Sequence, residues 1–305
     1  MLRSIGRGCL LLKVSLEESM ELQSNPPMPG FRQRLKEHIA TVGTSLCVGV
    51  DPHMAKLPSF FARFLETEGA AAFLTRFSQC LIEASVGQVA AIKFQSAFFE
   101  AHGAPGFSVL EAAIAQANAS GLITILDAKR GDIASTMTAY GQMAFAALGA
   151  DALTVMPYMG MDTIEPLVPW LALGRGIYIV WVSSNPSGGL IQDAAAEPLL
   201  EALVQYCSDA SVMDGLGLVL GATKVEQLPS LLLERIQSTC LLMPGLGAQG
   251  GTLTPRIQRL IRTEGTALLP QSRSISTFEG ATGSWSQYQD LVAQRVRSAA
   301  LQLRL

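Results

Sequence analysis

The segment ILDAKRGDIAST (residues 125–136) places Asp127, Lys129 and Asp132 within six positions of one another. On an extended strand, residues two apart point to the same side, so Asp127 and Lys129 are expected to share a face. Gly131 then permits a turn, and Asp132 follows where the chain leaves the strand, with Ser135 and Thr136 as nearby cap or ligand donors. Taken alone, Lys-Arg-Gly-Asp is also ordinary chemistry for a solvated turn carrying a surface ion pair. Two further groups favour a site. Asp51 closes the apolar run CVGVDP, and Lys93 sits between Ile92 and Phe94 in AAIKFQ. A lysine in an apolar strand is costly to bury unless a carboxylate pairs with it. Asp51, Lys93, Asp127 and Lys129 are therefore expected to form one alternating charge array across three neighbouring strands. Such an array suits a reaction that develops negative charge at carbon, because an ammonium can stabilise a carbanion and then donate its proton. A lysine kept charged by flanking aspartates is a poor nucleophile, so imine chemistry is not required.

A second constellation is built for an anion. PGLGAQGG (residues 244–251) and Gln271-Ser272-Arg273-Ser274 each follow a short apolar run near the C-terminal end of the chain. Glycines at 245, 247, 250 and 251 let backbone amides approach a phosphate, and Arg273 adds a permanent bidentate charge. The first stretch formally matches G-x-G-x-x-G, but it lies far from any first strand, so a dinucleotide site is a weak reading. The polar stretch VSSNPSGG (residues 182–189) is long enough to close over a ligand.

Positioning these groups requires a repeated unit. Eight short apolar runs, Ser45–Val50, Ala90–Gln95, Leu122–Asp127, Ala152–Met156, Ile177–Ser183, Gly217–Gly221, Cys240–Met243 and Ala267–Pro270, alternate with stretches of helical periodicity such as 108–120 and 136–149. Strands that are apolar on both faces and alternate with helices predict a parallel sheet covered by helices, and eight such units predict closure into a single-domain α/β TIM barrel, (β/α)8. A doubly wound open sheet would need a phosphate-binding glycine signature after the first strand, where the chain has Asp51-Pro52-His53 instead. In the barrel, catalytic groups belong at the C-terminal strand ends, and phosphate often binds after strands seven and eight. Residues 31–305 are assigned to the barrel. Residues 1–30, ending in the Asn25-Pro26-Pro27-Met28-Pro29-Gly30 breaker, read as an extension ahead of it, with disorder left open.

At 305 residues, 49% hydrophobic and 15% charged, the chain carries enough apolar content for a large core. Its formal charge of -3 offers no bulk attraction to nucleic acid or anionic membrane, so any anionic ligand must be caught locally. No apolar stretch is long and uninterrupted enough for a bilayer span. The five cysteines are scattered and never Cys-x-x-Cys, and they read as reduced thiols of a cytoplasmic protein. The three histidines show no metal-ligand spacing, and no metal or other cofactor is expected.

With these residues in view, the sequence resembles the orotidine 5'-phosphate decarboxylase family from about Phe31 onward. DAKRGDIAST is similar to the family's Asp-x-Lys-x-x-Asp-Ile-x-x-Thr signature, and VSSNPSGG resembles the branch with an Asn-Pro-Ser-Gly loop. The resemblance implies decarboxylation of orotidine 5'-phosphate to uridine 5'-phosphate, in pyrimidine biosynthesis, through a C6 carbanion protonated by Lys129. It implies Lys93, Asp127, Lys129 and Asp132 as the catalytic network, with Asp51 and Lys93 on the ribose and Ser184 on the pyrimidine. Gln249, Gly250 and Arg273 would hold the phosphate. It also implies a homodimer in which Asp132 and Thr136 reach into the partner's site. Two other readings remain open: a metal-dependent phosphosugar aldolase or synthase, which would need a further carboxylate where strand two offers Lys93, and a non-catalytic nucleotide-binding barrel.

Overall fold

The computed structural model describes residues 29–54, 59–206, 214–246, 251–262, 266–278 and 283–305. Most of the expected N-terminal extension, together with Gln249 and Gly250, lies outside the described residues. The eight apolar runs become β1 (Leu46–Val50), β2 (Ala91–Gln95), β3 (Thr124–Arg130), β4 (Ala152–Val155), β5 (Gly176–Val182), β6 (Leu216–Leu220), β7 (Cys240–Leu242) and β8 (Ala267–Gln271). Each pairs in parallel with the next, and β8 returns to β1 through Leu46↔Leu269 to close the barrel in sequence order. Seven strands match the expected bounds within one residue at each end. The exception is β3, which continues past Asp127 to Arg130.

The helices include α1 (Phe31–Val42) ahead of the barrel and, around it, α2 (Ser59–Ser85), α3 (Gly103–Ala119), α4 (Ala134–Gly141), α5 (Val168–Ala172), α6 (Gly189–Tyr206), α7 (Ser230–Arg235), α8 (Pro255–Arg262) and α9 (Trp285–Gln302). The helix expected over 108–120 begins earlier, at Gly103, because Pro105 falls in its first turn, where a missing N–H costs nothing. The helix expected over 136–149 is split, with α4 passing into a wide π-type turn over Gln142–Ala147. Helix α9 starts where Ser284 Oγ accepts the Gln287 N–H at 3.3 Å, a side-chain N-cap.

The alternation of side chains along the strands produces two cores. Outward residues such as Val48, Ile92, Leu126, Leu153, Ile179, Leu218, Leu241 and Leu269 pack under the helices. Inward residues Cys47, Ala91, Ile125, Ala152, Tyr178, Cys240 and Leu268 fill the lower barrel. Tyr178 fits there because the facing position on β6 is Gly217, where an added Cβ would lie 2.6 Å from the Tyr178 ring. Helix α1 caps this end: Phe31, Leu35 and Ile39 join the interior cluster, and Phe31 meets Tyr178 edge-to-face at 5.9 Å. Cys47 and Cys240 are buried here, and burial pushes both thiols up to about 12, as expected of small core residues rather than reactive ones. No helix among the described residues is long and apolar enough to cross a membrane.

Candidate active site

One layer above the apolar plug, the inward positions of β2, β3 and β4 change character to Lys93, Asp127 and Thr154, all buried. Lys93 Nζ lies 2.9 Å from Asp127 Oδ2 and 3.6 Å from Asp51 Oδ1 at the end of β1. Lys129 Nζ donates to Asp127 Oδ1 at 2.6 Å. The order around the wall is therefore carboxylate, ammonium, carboxylate, ammonium. Burial on its own would lower the Lys93 pKa, but attraction to Asp127 and Asp51 outweighs it and holds the ammonium above its usual range. Burial would likewise raise Asp127, yet Lys93 and Lys129, by charge and by hydrogen bond, pull it well below the ordinary carboxylate range. Both groups are thus fixed in their charged forms.

The reason Lys129 reaches Asp127 differs from simple alternation. The β3–β4 register runs Leu126↔Leu153 and then Arg130↔Val155, so Asp127, Ala128 and Lys129 together face the single residue Thr154. This bulge places Lys129 at φ 46, the one left-handed non-glycine conformation among the described residues. Gly131 is also needed for another reason than the expected turn. An added Cβ there would fall 2.5 Å from the Met156 carbonyl, so glycine permits close approach of the β3 and β4 exits. Ser135 and Thr136 do not cap α4, whose N-cap is Ile133 without a side-chain bond; instead Asp132 Oδ1 accepts the Ile133 N–H at 2.7 Å.

The array forms one wall of a cavity of about 490 Å³ at the C-terminal end of the barrel, to which all eight strands or their exits contribute. Asp51, Lys93, Asp127, Lys129, Ser184 and Arg273 line it; Asp132 and Thr136 do not. Across from the charges, Pro244, Gly245 and Leu246 after β7 meet Ser272, Arg273 and Ser274 after β8. Two buried oxygens on the lining, Asp51 Oδ1 and Ser272 Oγ, make no hydrogen bond. The stretch after β5 is shorter than the open loop expected: Pro186–Gly188 forms a 3-10 turn that leads directly into α6. Gln192 of that helix closes back on β5, its Oε1 accepting from the Ser183 N–H at 2.9 Å and from Ser183 Oγ at 3.1 Å. Gln95, Met156 and Gln192 also line the cavity, and Thr154 supports it; neither type nor spacing distinguished these four in the sequence. Among the described residues, no three His, Cys, Asp or Glu side chains gather as a metal site would need.

Comparison with known proteins bears on this arrangement. Residues 44–275 match the model of the Orotidine 5'-phosphate decarboxylase / HUMPS family. An orotidine 5'-phosphate decarboxylase of Thermomicrobium roseum is 37% identical over 281 residues, covering 90% of this chain and 96% of that protein. One of Roseiflexus castenholzii is 37% identical over 269 residues, covering 83% and 93%. The structure of Leishmania donovani OMP decarboxylase superposes with a TM-score of 0.68 at 27% identity, covering 90% of this chain and 96% of that one. With a closed eight-stranded barrel, a charge array at its mouth and the family match over most of its length, this chain belongs to the orotidine 5'-phosphate decarboxylase / HUMPS family.

Proposed function

We propose that the chain removes carbon dioxide from orotidine 5'-phosphate to give uridine 5'-phosphate, a step of pyrimidine biosynthesis; its relatives carry the name orotidine 5'-phosphate decarboxylase. The observation that carries this reading is the run of ion pairs Asp51–Lys93–Asp127–Lys129 on one cavity wall. In the reaction the C6–carboxylate bond breaks and its electron pair stays on C6. The Lys129 ammonium stabilises that pair and then transfers its proton to C6, after which solvent reprotonates the amine. Asp127 aims the Lys129 side chain through its 2.6 Å hydrogen bond, and Lys93 neutralises Asp127 from its other oxygen. Asp51, with one buried oxygen lacking a donor, suits a ribose hydroxyl shared with Lys93.

The far wall suits the phosphate: Arg273 supplies charge and Ser272 an uncommitted hydroxyl, with Gln249 and Gly250 assigned to the same end. Ser184 is assigned to the pyrimidine. Binding energy from the phosphate end would organise the charges at the other. The working unit is a homodimer of the cytoplasm, and Asp132 and Thr136 serve the partner's cavity. Their place outside their own cavity supports this, as do the exposed Ile133, Tyr158 and Met159 on the neighbouring exits of β3 and β4.

A metal-dependent phosphosugar reaction is less well served, because the position between Asp51 and Asp127 holds an ammonium rather than a carboxylate. The test is to mix the purified protein with orotidine 5'-phosphate in the presence of a chelator and follow the orotate ultraviolet band. Loss of the band with release of one carbon dioxide per nucleotide is expected. An unchanged band, or turnover that returns only with added divalent metal, would refute the reading.

A further inference from the structure

We infer that Thr154 is a positioning residue that sets both the carboxylate of Asp127 and the backbone of Lys129, an inference that rests on the decarboxylase reading above. In a regular parallel pair each inward residue of β3 would meet its own neighbour on β4, but here three residues face Thr154 alone. The Thr154 side chain is fully buried, and its hydroxyl occupies the gap that the bulge opens. Its Oγ lies 2.9 Å from Asp127 Oδ1 and 2.9 Å from the Lys129 backbone nitrogen.

The direction of both bonds is forced. A backbone N–H can only donate and an ionised carboxylate can only accept, so the hydroxyl accepts from Lys129 and gives its single proton to Asp127. That pairing does two things at once. It supplies the Lys129 amide with the acceptor that the interrupted ladder no longer provides, which stabilises a side-chain-bearing residue in the left-handed region. It also fixes the plane of the Asp127 carboxyl, so that Oδ1 faces Lys129 and Oδ2 faces Lys93. Threonine is the residue type that does this in a strand, combining β-branched stiffness with one donor and one acceptor. Lys129 is anchored at its amide and at its ammonium, and both anchors run through the same hydroxyl.

Thr154→Val keeps the shape and deletes the hydroxyl, whereas Thr154→Ser keeps the hydroxyl and deletes a methyl group. For wild type and both variants, kcat and KM for orotidine 5'-phosphate and the affinity for uridine 5'-phosphate are measured, with circular dichroism as a check of folding. Thr154→Val is expected to lower kcat by about 10- to 100-fold, as for an ångström-scale misplacement of a reacting group. Product affinity should stay within about threefold, since it does not depend on where the Lys129 ammonium is aimed, and Thr154→Ser should recover kcat to within about threefold of wild type. Wild-type kcat in Thr154→Val overturns the inference. So does equal impairment of the valine and serine variants, which would mean packing alone, and so does a loss of product affinity in step with kcat. If the valine variant does not fold, Thr154→Cys, a weaker and longer donor, should give an intermediate kcat, and wild-type kcat there is again contrary. Failure of the wild-type protein to turn over the nucleotide would instead remove the decarboxylase reading itself.

Discussion

Lys93→Met removes an ammonium that touches two carboxylates, and its cost can be worked from the distances. At an effective dielectric constant of about 20, a unit pair at the 2.9 Å of Lys93–Asp127 attracts by roughly 6 kcal/mol, and one at the 3.6 Å of Lys93–Asp51 by roughly 5 kcal/mol. Most of this gross attraction is offset by the desolvation of a side chain only 8% exposed. What decides the outcome is what the variant leaves behind. Asp127 keeps Lys129 and Thr154, but Asp51 has no other ion-pair partner among the described residues. The expected loss of stability is therefore about 3 kcal/mol, the low end for breaking a buried pair. Adding Asp127→Asn to Lys93→Met should not add its full cost, because the neutral amide no longer needs the cation. The two substitutions are expected to couple by at least about 1 kcal/mol. Urea unfolding followed by tryptophan fluorescence, at one fixed protomer concentration and without nucleotide, measures both quantities. A single-variant cost under about 1 kcal/mol, or additivity within about 0.5 kcal/mol, would refute the linked array.

Lys129→Ala should lower kcat by about 10,000-fold or more while shifting the thermal midpoint by no more than about 4 °C, since its side chain is 41% exposed; near-normal turnover would contradict the proton-donor role proposed for it. Arg273→Ala should raise KM for the nucleotide by about 10- to 100-fold with a smaller change in kcat, and leave the affinity for the phosphate-free nucleoside unchanged; equal losses for both ligands would place Arg273 elsewhere. Stability should also depend on pH at both extremes. Asp127 is depressed, so its contribution is present above its unfolded value of about 3.9 and is lost as pH falls through the lower folded value. Lys93 is raised, so its contribution is complete below about 10.4 and is lost only as pH rises through the higher folded value. Urea midpoints across pH should show both limbs in the wild type and no Lys93 limb in Lys93→Met.

The barrel was legible because its signal is repeated: eight apolar runs of similar length, each followed by a helical stretch, leave few other ways to close a sheet. The charge array was legible for a different reason. Lys93 between Ile92 and Phe94 violates the pattern of its own strand, and such a violation demands a partner nearby. What could not be read was the local geometry of β3. Alternation places Asp127 and Lys129 on one face, but the chain achieves the contact through a bulge, a left-handed lysine and a threonine from the next strand. Thr154 looks in sequence like any β-branched strand residue, since its use depends on a register shift between strands that no local pattern encodes. Gln192 was hidden likewise, because its bond to Ser183 exists only once the stretch after β5 has turned into α6.

The filled lower barrel has a consequence for traffic. Among the described residues, Tyr178 fills the barrel axis and Phe31 backs it from below, so this side of the cavity is closed. On the proposed reaction, gas and nucleotide would then leave on the C-terminal side of the barrel, where Ser183 and Gln192 line the cavity. On the proposed mechanism, a carbon dioxide molecule that lingers beside the nascent carbanion recombines with it, and prompt proton delivery from Lys129 would make departure irreversible.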